Sequence, residues 1–153
     1  MCSSLVHLLV CIFLFKVSNT EQITFKNVTV WWFHFDILEA TVATFDNLKK
    51  IVPDEEKGSV RIDGSVPILY EKSVFDIPNL HSLDLHDVGL EEIKPGAFGN
   101  LPLFKGVSLR GNNLTEIKTG TFVDLNIVYL DLSLNSITFL QPGAFKNFNA
   151  VIV

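Results

Sequence analysis

The sequence predicts an α/β solenoid, a stack of short repeats with a parallel sheet on its concave face and turns with short helical pieces on its convex face. Three observations carry this expectation. The tetrapeptide PGAF stands at residues 95–98 and again at 142–145, with TGTF at 119–122 between them, so the motif's phenylalanine recurs as Phe98, Phe122 and Phe145. A near-constant period of that length marks a repeat architecture. Apolar residues alternate in LHSLDL and IVYLDL, the period of two of a strand with one face turned inward. Each such strand turns through Gly or Asn and then sends Leu90, Leu114 or Ile137 back to the core.

The elements follow in chain order. Residues 5–15 are almost wholly apolar, broken only by His7, and are followed by the polar residues Lys16, Ser18, Asn19, Thr20 and Glu21. The segment is too short to cross a bilayer of about 30 Å but matches the apolar region of an export signal. Residues 1–20 are therefore read as a signal peptide. Both cysteines, Cys2 and Cys11, fall inside it, so the mature chain has no disulfide and no thiol chemistry. Residues 21–56 are expected to hold an N-terminal cap and a divergent first repeat. There NVTVWWF supplies a strand with Val28 and Val30 inward, and Phe45 its convex phenylalanine. The polar run VPDEEKGS at 52–59 then bulges between units.

Residues 57–150 hold the regular repeats. An irregular unit at about 57–79 offers Val60 and Ile62 as its inward pair and Phe75 one period before Phe98. Three full units then match at eight positions each. The first runs through Leu80, Leu83, Leu85, Val88, Leu90, Ile93, Phe98 and Leu101, and its successors place Asn112 and Asn135 where the first has Val88. One unit cannot bury its inner face, but stacked units share a core, their strands about 4.8 Å apart. Val151 stands one period after Ile127 and opens a further, incomplete repeat over 151–153. A solenoid requires a polar cap at each end, so the expectation is either a fragment of a longer product or an end covered by another subunit, such as a second copy.

These motifs resemble the extracellular leucine-rich repeats of animals, including Toll-type receptor ectodomains and secreted insect proteins. The resemblance implies a right-handed arc, a buried ladder formed by Asn112 and Asn135, and a spine of Phe75, Phe98, Phe122 and Phe145. Ser65 and Val88 depart from asparagine at the ladder position.

The register assigns two rows of side chains to the concave face. One is Arg61, Asp84, Ser108 and Asp131; the other is Asp63, His86, Arg110 and Ser133. They are the candidate ligand contacts, and such neighbours also satisfy one another across a sheet. Ser108, His86 and Asp63 do not constitute a hydrolytic triad, because an open sheet has neither a strained nucleophile turn nor an oxyanion hole. Among His81, Asp84, His86 and Asp87 only Asp84 and His86 share a strand face, too few ligands for a metal. The aromatic run Trp31, Trp32, Phe33, His34 and Phe35 suits a binding platform, although covering the first turn of the solenoid is the favoured reading. Sequons stand at Asn27 and Asn113, whereas Asn135-Ser136-Ile137 lacks the third-position hydroxyl.

With net charge −5, a pI near 5.3 and no run of Lys or Arg, nucleic acid is excluded as a partner. No later stretch reaches the length of a membrane span. The resemblance implies a secreted binding module without enzymatic activity or cofactor, recognising an extracellular protein or glycan in immunity or cell-surface signalling. The alternatives are an adhesion or matrix protein acting through solenoid dimers, with the uncapped C-terminal end as the contact, and a secreted enzyme inhibitor.

Overall fold

The computed structural model describes residues 22–34 and 37–150. Residues 1–21, with the expected signal peptide and both cysteines, Phe35, Asp36 and residues 151–153 lie outside them. In chain order the strands are β1 (Phe25–His34), β2 (Ile37–Phe45), β3 (Gly58–Asp63), β4 (Ile68–Leu69), β5 (Val74–Phe75), β6 (Leu80–Asp84), β7 (Glu92–Ile93), β8 (Phe98–Gly99), β9 (Gly106–Ser108), β10 (Glu116–Ile117), β11 (Tyr129–Asp131) and β12 (Phe139–Leu140).

The main sheet has the order β11–β9–β6–β3–β1–β2. From β3 to β11 its strands are parallel, each one turn of the solenoid after the last. Val60, Leu83, Val107 and Leu130 stand side by side in this register, and all four are buried. The inward period-two residues of successive turns thus form one continuous row of core contacts.

On the convex side the expected helical pieces are replaced by extended segments. Parallel pairs β4–β7, β5–β8 and β10–β12 run there, and helix among the described residues is a single 3-10 turn at Leu48–Lys50. The PGAF and TGTF turns show why. Gly96 N–H donates to the Gly120 carbonyl, and Gly120 N–H to the Gly143 carbonyl, each at 3.1 Å, while Phe122 N–H reaches Ala144 O at 2.8 Å. Backbone groups that a helix would satisfy within one turn are satisfied by the next turn instead.

Two N-terminal expectations are corrected. Residues 25–45 do not make a repeat turn: β1 and β2 form an antiparallel hairpin, and β1 also pairs antiparallel with β3. Phe45 accordingly stays out of the convex spine and stacks on Phe25, centroids 4.6 Å apart. Phe75 is one residue out of step as well. The register sets Val74 opposite Phe98 and Phe75 opposite Gly99. Val74 is buried in the spine position, and Phe75 lies over Gly99, where a Cβ would stand 2.7 Å from its ring. The remaining rings do stack, Phe98 on Phe122 at 5.7 Å and Phe122 on Phe145 at 5.3 Å.

A second ladder escaped the sequence reading. Asp76, Asn100, Asp124 and Asn147 recur at equivalent places with φ between 50° and 60°. Asp and Asn tolerate this left-handed conformation better than other side chains. Their alternation also lets amide meet carboxylate: Asn100 Nδ2 donates to Asp76 Oδ1 at 2.6 Å, and Asn147 Nδ2 to Asp124 Oδ1 at 2.8 Å.

Candidate functional site

The concave face follows from strand register. Arg61, Asp84, Ser108 and Asp131 are direct neighbours on β3, β6, β9 and β11. The hairpin extends this row, because Trp31 pairs with Arg61 and with Ala40. Beside it runs a row of Leu38, Phe33, Ser59, Ser82, Gly106 and Tyr129. Tyr129 lies against Gly106, where a Cβ would come within 2.4 Å of its ring and 2.6 Å of its carbonyl oxygen. Any side chain at that position would displace Tyr129 from the surface.

The other expected row, Asp63, His86, Arg110 and Ser133, lies where the strands end. Asp84 Oδ1 accepts from the His86 backbone N–H at 3.1 Å and contacts His86 Nδ1 at 2.7 Å. Asp131 Oδ1 accepts from Ser133 N–H at 2.9 Å, and Arg110 Nη1 donates to Ser133 Oγ at 2.6 Å. These are Asx turns, in which a carboxylate ends a strand by capturing the amide two residues on. The hydrogen bonds from the Ser133 side chain and backbone hold the Asp131 carboxyl below its ordinary value. His86 is thus engaged by Asp84, a neighbour on its own turn. His81 presents its carbonyl to Lys105 N–H.

Asn112 and Asn135 lie beneath the corner. Buried Asn112 accepts from the amides of Val88 and Leu90 at 3.2 and 2.9 Å and donates to the carbonyls of Leu85 and Leu109, both at 2.8 Å. Half-buried Asn135 repeats the pattern with Leu114 N–H, Leu109 O and Leu132 O. Val88 has no side-chain acceptor, and its own amide is taken up by Asn112 of the next turn. The sequon residues Asn27 and Asn113 are both exposed.

The aromatic run divides between two faces. Trp32 is buried with Val28 and Val30. Trp31 and Phe33 belong to the concave rows, and Phe33 is 41% exposed, with Leu38 opposite it at 54%; farther along the hairpin Val42, opposite Thr29, is 64% exposed. Sequence reasoning missed this division. The signal was available, since Val28 and Val30 inward puts Thr29, Trp31 and Phe33 outward. The concave face therefore grades from an apolar hairpin to a polar sheet.

Asp63 locks the junction. Its carboxylate accepts from Trp31 Nε1 at 2.6 Å and from Arg61 Nε at 2.8 Å. Desolvation raises the carboxyl, but the Arg61 and Trp31 hydrogen bonds outweigh it and hold the group below its ordinary value. A depressed carboxyl contributes stability above its unfolded value and loses it as pH falls through the folded one. The Trp31 indole N–H resonance should therefore stay in place from pH 7 to pH 5 and move with a midpoint below the about 3.9 of an ordinary aspartate; a midpoint at or above that ordinary value would mean that the clamp is not formed.

At the other end of the solenoid, Leu132, Ile137, Phe139, Leu140, Phe145 and Phe148 line an open apolar groove of about 600 Å³. Among the described residues no three His, Cys, Asp or Glu side chains gather as a metal site. No helix among them is long and apolar enough to cross a membrane.

Parallel strands one per turn, an asparagine ladder and a phenylalanine spine define a leucine-rich-repeat solenoid. The leucine-rich-repeat family model matches residues 78–133 and 105–152, so the C-terminal half of the chain is built of such repeats. Over 72 residues, 47% of this chain, it is 35% identical to leucine-rich repeats and immunoglobulin-like domains protein 2 of Mus musculus. Over 77 residues, 50% of this chain, it is 40% identical to leucine-rich repeat-containing G-protein coupled receptor 5 of Rattus norvegicus. The chain spans only 7% and 8% of the length of these two relatives. No solved structure matches it.

Proposed function

We propose that this protein is a secreted or cell-surface binding module that recognises an extracellular protein, or a glycan, through its concave face in immunity or cell-surface signalling, without catalysis. The observation that carries this reading is the graded concave surface, with Trp31, Phe33 and Leu38 at one end and the charged rows at the other. Aromatic anchors beside fixed polar groups are the composition of binding hot spots. The similarity to a cell-surface receptor and the apolar segment at residues 5–15 support the location. Residues 21–56 act as the N-terminal cap, and exposed Asn27 and Asn113 as glycan acceptors. A mass equal to the bare polypeptide after secretion from animal cells would remove the glycans from this account.

The test is a binding screen of the full chain against arrayed extracellular proteins and glycans, repeated with Trp31→Ala and Asp131→Ala. Each substitution should weaken a specific interaction about tenfold, the ~1.4 kcal/mol scale of an interface anchor. Binding unchanged by both would overturn the concave reading. End-to-end adhesion is a second reading, favoured by Phe139 and Leu140, 56% and 55% exposed at the groove end. Phe139→Lys would abolish self-association if that reading holds.

A further inference from the structure

We draw no further inference here: the strongest candidate, the open apolar groove that Leu132, Ile137, Phe139, Leu140, Phe145 and Phe148 line at the C-terminal end of the solenoid, is an unpartnered face, and nothing in the structure shows what covers it.

Discussion

Replacing Asn112 with alanine is expected to destabilise the protein by about 4 kcal/mol, a large part of the roughly 5–15 kcal/mol that holds a typical domain together. The side chain is buried and serves four backbone groups of two successive turns: the amides of Val88 and Leu90 and the carbonyls of Leu85 and Leu109. Alanine leaves these groups without that partner in a place closed to water, and each buried group so orphaned costs about 1–3 kcal/mol. Asn112→Asp should be nearly as damaging, because it keeps the acceptor but removes both donors. Asn135→Ala supplies the internal control. Its side chain is half-buried and accepts from one amide, Leu114, so about half the loss is expected. Urea unfolding would measure all three, and equal losses at Asn112 and Asn135 would show that burial of the ladder is not what makes it strong.

Phe122→Ala should cost about 3–5 kcal/mol, the usual range for a buried aromatic ring. The ring is fully buried and touches three others, Phe98, Phe145 and Phe148, with centroids at 5.7, 5.3 and 6.1 Å. Its position between turns gives the substitution a second signature. Stability in a solenoid is the sum of each turn and its interface with the next, so weakening one interface uncouples the turns beyond it. The unfolding of Phe122→Ala should therefore broaden, with the turns after Phe122 melting first. A double-mutant cycle with Phe98→Ala should show a coupling of about 0.5–1.5 kcal/mol, the scale of a stacked pair. Strict additivity would reduce the spine to independent apolar burial.

Much of this architecture was legible because its interactions are local in the repeat. Leu83, Val107 and Leu130 share a period-two pattern and recur once per unit, and equivalent residues of stacked turns must meet. The same recurrence brings Asn112 under Leu85 and Val88. The concave candidates were legible for that reason too, since Asp84, Ser108 and Asp131 occupy one position of three consecutive units.

The hairpin obeys a different logic. Alternation of apolar residues in NVTVWWF says that one face is inward, but not whether the strand runs with or against its neighbour. Antiparallel pairing with β2 and β3 is decided by contacts between residues distant in sequence, such as Thr29 with Asp63, which no repeat period encodes. Phe75 fails for a related reason. The repeat length varies by one from unit to unit, and only the backbone pairing of Val74 with Phe98 shows which residue faces the core. The convex helices were likewise replaced once neighbouring turns could supply the backbone partners.

The sequence by itself determined the repeat, its inward rows and the asparagine ladder, because each depends on identical environments recurring at a near-constant interval. Tertiary structure alone decided that the aromatic run divides between core and surface and that the sheet ends in an antiparallel hairpin. Those outcomes depend on strand direction and on which neighbour each backbone group finds, and a periodic pattern carries neither.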